Sequence, residues 1–131
     1  MALQYSTTVN NARLDQIEST IGASPNLLIF SGSAPANCAA ADSGTLLATL
    51  ALPSDWMAAA AAGAKALAGS WTGTASGGSA ATPTHFRIKA GATCHLQGTA
   101  GIGSGDLQVN GTITSGQTVT VTSFTITSAN T

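Results

Sequence analysis

Apolar residues near the start of the chain recur with the period of an α-helix. Leu14, Ile17 and Ile21 stand at i, i+3 and i+7, so a helix would carry all three on one face. Ser6 or Thr7 can cap the beginning of this helix, and a glycine followed three residues later by a proline marks its end. We therefore predict a short N-terminal helix with one apolar stripe and one solvated face.

After this helix the pattern changes to short apolar or alternating segments that are separated by turn residues. The predicted strands are 26–32, 45–52, 65–73, 85–91, 93–101, 106–110 and 118–127. In the second strand, every other residue from Leu46 to Leu52 lies on one face. Short strands joined by turns are typical of an antiparallel sandwich or barrel, so we predict an all-β domain over 26–131 after an arm over 1–25.

The alanine-rich stretch SDWMAAAAAGAKALAGSW fits two conformations. Alanine has the highest helix propensity, and Ser54 or Asp55 could cap a helix there. Against a helix, Gly63 and Gly69 interrupt the run, and the surrounding pattern is strand-like. We predict a loop or a short helical turn over 55–63, followed by the third strand.

The last strand, TVTVTSFTIT, changes phase in its middle. Val119 and Val121 occupy odd positions and Phe124 and Ile126 even ones, so a regular strand would place the two pairs on opposite faces. A β-bulge near Thr122-Ser123, or a bend from one sheet into another, would direct all four into the core. A third possibility is a strand buried on both faces, with one pair against a neighbouring subunit.

Charge is scarce in this chain and limits the classes of partner. Charged residues make up 7% of the sequence, against roughly 25% in ordinary globular domains, and the formal net charge is −1. A surface with so few charges must be covered by Ser, Thr, Asn, Gly and Ala, and a net charge near zero promotes association. Because there is no basic excess and aromatic residues make up only 5%, we predict no nucleic-acid partner.

No segment of the sequence predicts a membrane span or a signal peptide. The most apolar stretch, Trp56–Leu67, is interrupted by Gly63 and Lys65, and it is shorter than the roughly 20 residues that a membrane helix needs. The first residues lack a basic region followed by an apolar run. We therefore expect no membrane partner.

The two cysteines and two histidines do not have the spacing of a metal site. Cys94 and His95 are adjacent on a predicted strand, so their side chains point to opposite faces. Cys38 and Cys94 could form one bridge, but nothing indicates an oxidising compartment. We favour two buried thiols and no metal ligand.

Motifs for catalysis are absent from the sequence. GIGSGD lacks the spacing of a nucleophile elbow, and Asp106 stands where a dinucleotide fingerprint needs its last glycine. The five acidic residues are spread along the chain, so no carboxylate pair can be nominated. We predict no catalytic residue, no cofactor and no enzymatic activity.

Several segments together resemble small structural proteins of tailed bacteriophages and prophages. The most specific are GTLLATLAL (44–52), HFRI (85–88) and VTSFTIT (121–127), and the similarity spans almost the whole chain. The resemblance implies a virion component with a β-sandwich core, of the capsid decoration or cement kind. Such proteins are usually non-enzymatic and bind the outer capsid lattice in many copies, after assembly in the host cytoplasm.

From the pattern and the resemblance we predict a jelly-roll-like antiparallel β-sandwich with a short N-terminal helix. Its expected partners are the major capsid protein or other virion proteins and further copies of itself. The candidate protein-contact residues are Arg13, Asp15, Glu18, Trp56, Met57, His85, Arg87 and Lys89. They belong to the mixed-charge helix, to the alanine-rich loop and to a cationic row on one strand face.

A tail or fibre module that recognises glycans on a host surface is the alternative function. In that case an exposed Trp71 and the glycine-rich tip 101–106 would contact the sugar.

Overall fold

A computed structural model describes residues 3–128 and shows a mostly β protein with a single short helix. The helix, α1, spans Thr7–Ile21. The strands that follow are β1 Asn26–Ser31, β2 Thr45–Ala51, β3 Ala64–Ala66, β4 Thr72–Thr74, β5 His85–Ala90, β6 Thr93–Gly101, β7 Leu107–Val109 and β8 Thr118–Thr127. The predicted β-rich class and N-terminal helix are confirmed. Within the described residues, no helix is long and apolar enough to cross a membrane.

The strands form one curled, mixed sheet, which makes a half-barrel. Their order is β2-β1-β5-β6-β7-β8-β3, and β4 pairs separately with β8. The sheet is not antiparallel throughout, because β6 and β7 run parallel, with Ala100 beside Leu107. At the far side, Ala75 after β4 forms a bridge to Ala48 of β2, which brings the two ends of the curled sheet together. The predicted two-sheet sandwich is not confirmed.

A tight glycine-rich turn makes the parallel pairing possible. The chain leaves β6 at Gly101 and enters β7 at Leu107, so the connection has to double back on itself. A Cβ atom on Gly101 would lie 2.6 Å from the carbonyl oxygen of Ser104, and Gly105 has a φ of +91°. Only glycine fits both positions without strain, which explains why this tip folds so compactly.

Helix α1 begins and ends where the sequence predicts. The Ser6 hydroxyl accepts a hydrogen bond from the Val9 N–H at 3.2 Å, and Gly22 ends the helix with a φ of +94°. Leu14 and Ile21 are buried, and Ile17 is partly buried against the core. The predicted apolar stripe therefore attaches the helix to the half-barrel.

An aromatic cluster forms the centre of the core. The ring of Trp71 lies 5.9 Å from that of Trp56 and 5.4 Å from that of Phe124. Each buried indole N–H has an acceptor: Trp56 donates to the Gly22 carbonyl at 2.9 Å, and Trp71 donates to the Trp56 carbonyl at 3.0 Å. These bonds remove the cost of burying the polar end of each indole.

The phase change in β8 is a β-bulge, which was one of the three possibilities left open by the sequence. The registered pairs around it are Leu107–Phe124, Gln108–Ser123 and Val109–Val121. Thr122 is the extra residue, so the alternation of core-facing side chains resumes one position later along β8. Val119, Val121 and Phe124 are buried, and Ile126 is partly buried against the core.

A second bulge corrects the predicted face of β2. Ile29 pairs with Ala48 and Phe30 pairs with Leu46, which leaves Leu47 as the extra residue. Leu47 is fully buried, whereas Leu46 is 38% exposed. The regular alternation that placed Leu46 inside was wrong because the bulge reverses the side-chain direction at that point.

The alanine-rich stretch forms a loop and two short strands. Residues 55–63 contain no helix, and the predicted single strand over 65–73 is divided into β3 and β4. The division falls at Gly69, whose φ of +69° a strand cannot accommodate. Ala62 and Gly63 both have positive φ, which makes a two-residue turn leading into β3.

Candidate functional site

Two of the three predicted contact residues of α1, Asp15 and Glu18, bind a buried lysine of their own chain. Lys65 in β3 is 1% exposed. Its Nζ donates to Asp15 Oδ1 at 2.7 Å, to the Ala58 carbonyl at 2.9 Å, and lies 3.0 Å from Glu18 Oε1. All three ammonium protons therefore have an acceptor, which makes the burial of this charge tolerable.

The same carboxylates also hold the alanine-rich loop. Asp15 accepts a hydrogen bond from the Ala60 N–H at 2.9 Å, and Glu18 accepts one from the Met57 N–H at 3.2 Å. The hydrogen bond from Lys65, followed by that from Ala60, lowers the pKa of Asp15. Burial opposes the charge of Lys65, but its bonds to the two carboxylates outweigh this and raise its pKa. Two carboxylates of α1 thus order a loop of the same chain, while Gln16, Ser19 and Thr20 of the helix remain exposed.

Two other predicted contact residues lie in the core, and Arg13 lies on the exposed side of α1. Trp56 and Met57 are fully buried, so they present no surface to a partner. The Arg13 guanidinium lies 4.8 Å from the centre of the Tyr5 ring, a cation–π contact, and it donates to Asn10 Oδ1 at 3.3 Å. Arg13 remains exposed.

The cationic row on β5 is covered by the segment between β1 and β2. We call this segment, residues 33–43, the strap. Arg87 is buried beneath it and donates to Asp42 Oδ1 at 2.6 Å and to the carbonyls of Asn37 and Ala40, each at 2.9 Å. Lys89 donates to Asp42 Oδ2 at 2.7 Å. The hydrogen bond from Lys89, and then that from Arg87, lowers the pKa of Asp42.

His85, the third member of the row, is also enclosed. Its ring stacks on that of Phe30 at 5.0 Å and is 2% exposed. One ring nitrogen lies 3.0 Å from the Thr84 hydroxyl and the other 3.3 Å from the Ser43 carbonyl. The polar face of β5 was correctly placed away from the core, but the expectation that it faces solvent or a partner is wrong for His85 and Arg87.

The two cysteines form a disulfide that fastens the strap to β6. Cys38 in the strap is bonded to Cys94, with their Cα atoms 5.2 Å apart and a sequence separation of 56. The interpretation as two buried thiols was wrong. No local pattern could have decided it, since the bond depends on the strap crossing β5 and β6.

An opening between β6 and β8 is the candidate interaction site. We call it the seam, bounded by residues 93–98 of β6 and 124–127 of β8. Strand β7 lies between these strands but pairs with β6 only at Ala100 and Gly101. In the described part of the chain, no strand continues the line of β7 through the seam.

The backbone of β6 presents unpaired groups to the seam. The Ala100 N–H donates to the Thr84 carbonyl at 3.0 Å, on the β5 side, so the alternation of an antiparallel strand turns the backbones of Thr99 and Gln97 towards β7 and the seam. The Thr99 N–H donates to Asp106 Oδ2 at 3.0 Å, so a side chain takes the place of the backbone of a neighbouring strand. The described residues give the backbone of Gln97 no strand partner on this side.

On the opposite side of the seam, the end of β8 also directs backbone groups into the opening. The Ser128 N–H donates to the Gly63 carbonyl at 2.9 Å, on the β3 side. The backbone of Thr127, one position earlier, therefore points into the seam. The two sides of the seam are antiparallel to each other, because β7 is parallel to β6 and antiparallel to β8.

The floor of the seam is lined by equal numbers of apolar and polar residues and extends to α1. A cavity of about 280 Å³ is lined by Phe86, Leu96, Gln97, Asp106, Phe124, Thr125, Ile126 and Thr127. A neighbouring cavity shares Ile126 and Thr127 and reaches Ile17 and Arg13 of α1. An extended peptide placed here would meet strand edges on two sides and apolar side chains below, which is the arrangement used in β-strand addition.

Of the two features expected to contact a sugar in the alternative glycan-binding function, only one is on the surface. Trp71 is 1% exposed, so it cannot stack on a sugar from outside. The tip 101–106 is on the surface, where Ile102 is 42% exposed. Among residues 3–128, no three His, Cys, Asp or Glu side chains lie close enough together to hold a metal ion.

Sequence reasoning missed Lys65, Asp42 and the seam. Lys65 is a lone charge in phase with the apolar positions of the most alanine-rich stretch, and that position was a usable signal. Asp42 sits in a segment that reads as an ordinary loop, and the seam is the absence of a strand, which no local pattern reveals. No known family model, curated protein or solved structure matches this chain.

Proposed function

We propose that the chain is a non-enzymatic structural protein of a phage virion, a capsid decoration protein that binds the outer shell in many copies. The resemblance to phage structural proteins suggests this class. The observation that carries the proposal is the seam, where two open strand edges flank a floor that includes Phe86, Leu96 and Ile126, in a chain with 7% charged residues.

Open strand edges favour pairing with another polypeptide. Natural proteins that avoid such pairing place lysine, proline or a bulge at the edge. Strand β6 does carry a bulge at His95, within the seam, but the seam-facing positions Gln97 of β6 and Thr127 of β8 are neither lysine nor proline. An extended segment of the major capsid protein would supply the missing backbone partners and cover Leu96 and Ile126.

Repetition on a lattice makes a modest contact effective. Each seam would bind one short segment weakly. Symmetric copies of the chain would also contact one another, so the overall affinity for the lattice would exceed that of a single seam. We expect a homo-oligomer in the virion. The jelly-roll-like sandwich is part of this proposal, supported by the bridge that brings β2 against β4.

A matched pair of variants tests the role of the seam. Thr127→Lys places an edge-protecting charge inside the seam, whereas Thr118→Lys makes the same change at the exposed far end of β8. In sedimentation with particles assembled without this protein, we expect Thr127→Lys to weaken binding by tenfold or more, about 1.4 kcal/mol, and Thr118→Lys to bind normally. Equal binding by both variants would exclude the seam as the contact.

Electron microscopy of decorated particles tests the function itself. A decoration protein should be present on the shell in numbers comparable to the major capsid protein. A few copies at the tail would instead favour the host-recognition alternative.

A further inference from the structure

The strap is attached to the domain by a disulfide and by polar contacts. Besides Cys38, it contributes Asp42, which binds both Arg87 and Lys89, and the Pro35 carbonyl, which accepts from Gln97 Nε2 at 3.1 Å. None of residues 33–43 belongs to the hydrophobic core. A segment without core contacts opens more easily than the strands beneath it, so the covalent bond is its strongest restraint.

The strap provides most of the partners of the cation that it covers. Of the four hydrogen bonds that Arg87 makes, those to Asp42, Asn37 and Ala40 come from the strap, and the one to Gln97 comes from β6. If the strap lifts, Asp42 leaves with it. Arg87 and Lys89 then form an uncovered cationic face with no carboxylate of the strap beside them.

The disulfide is placed where a reductant can reach it. Cys38 and Cys94 are half-buried and line a surface cavity of about 590 Å³ together with Arg87 and Lys89. Neighbouring cations favour the thiolate form of cysteine, which is the species that exchanges. The site therefore combines access with an environment that supports thiol–disulfide exchange.

We propose that the Cys38–Cys94 disulfide is a redox latch that controls access to the cationic row of β5. A dithiol reductant transfers two electrons and two protons, the S–S bond breaks to give two thiols, and the reductant is oxidised to its own disulfide. The released strap uncovers Arg87 and Lys89, which suit a carboxylate-rich surface of a partner protein. Reoxidation closes the strap over the row.

The latch gives the proposed function a sequence of events. The reducing host cytoplasm keeps the strap open during assembly, and the oxidising medium after lysis fastens it. This timing rests on the proposed function, whereas the opening itself does not.

Hydrogen exchange tests the opening directly. The oxidised protein, the protein in dithiothreitol and the Cys38→Ser/Cys94→Ser variant are compared by mass spectrometry. We expect amides of residues 33–43 to exchange roughly tenfold faster or more in the last two, while β1 and β5 stay protected. Unchanged exchange in the strap, or loss of protection throughout the domain, would overturn the latch.

Binding of poly-glutamate at low ionic strength tests the uncovered face. The reduced protein and the double-serine variant should bind it at least tenfold more tightly than the oxidised protein, and Lys89→Gln in the double-serine background should weaken that binding. Equal binding in both redox states would contradict the proposal. Failure to bind phage particles in either state, with strap opening intact, would overturn the proposed function and leave the latch standing.

Discussion

Lys65 and Arg87 are buried cations, and oxygen atoms from distant parts of the chain surround both. Lys65 is held by α1 and the alanine-rich loop, and Arg87 by the strap and Gln97. A buried ion pair adds little net stability over an apolar pair, but removing one partner leaves the other charge uncompensated. The position of the alanine-rich loop therefore depends on Lys65, and the position of the strap depends on Arg87.

Replacing Lys65 should destabilise the fold strongly. Lys65→Met leaves Asp15 and Glu18 without their cation, and we expect the free energy of unfolding to fall clearly. Lys89→Met, at a lysine whose side chain is 15% exposed and which binds the partly exposed Asp42, should cost less, about 1 kcal/mol. Urea unfolding measures both free energies. Equal decreases for the two variants would show that the burial of Lys65 does not make its ion pairs more important for stability.

Acid should weaken both clusters. Asp15 and Asp42 have pKa values below the ordinary 3.8, so their contribution is complete above that pH and is lost as the pH falls through the folded-state values. The free energy of unfolding, measured from pH 6 downwards, should decline below about pH 4. Asp42→Asn should flatten this decline, because it removes one of the two carboxylates.

Among the elements, β8 pairs with three other strands and so connects several parts of the sheet. It pairs with β3, β4 and β7, and the bulge at Thr122 lets its two halves bury their apolar residues on the same side. A strand of this length without the extra residue would turn Phe124 away from the aromatic cluster.

Deleting Thr122 should therefore prevent folding. The deletion moves Phe124 and Ile126 to the opposite face, and loss of a buried phenylalanine alone costs about 3–5 kcal/mol. Thr122→Val keeps the residue count and should fold. Circular dichroism with thermal unfolding distinguishes them, and a folded deletion variant would refute the role assigned to the bulge.

Elements held by local signals were predictable from the sequence, and contacts between distant segments were not. The Ser6 cap, the Gly22 stop and the β8 phase change each lie within a few residues of what they determine. Alternation correctly showed that Arg87 faces away from the core, but it could not show that a loop crosses over it. The seam and the disulfide are likewise products of three-dimensional arrangement.

In the whole molecule, the disulfide links segments that are otherwise far apart in the unfolded chain. Its loop spans 56 positions, for which loop-closure entropy gives a stabilisation of about 4 kcal/mol. We expect the Cys38→Ser/Cys94→Ser variant to lose up to this amount in denaturant unfolding, with the half-barrel still formed. A variant as stable as the oxidised protein would mean that the unfolded chain is already compact.

The aromatic cluster has a spectroscopic consequence. Both tryptophans of the chain, Trp56 and Trp71, lie in it, and neither lines the cavity beside the disulfide or the seam. Their emission therefore reports the integrity of the barrel interior as one unit. A red shift signals that water has reached the indoles, whereas a strap that swings open should leave the spectrum in place. The protein thus carries an intrinsic optical probe that separates local opening from global unfolding without any added label.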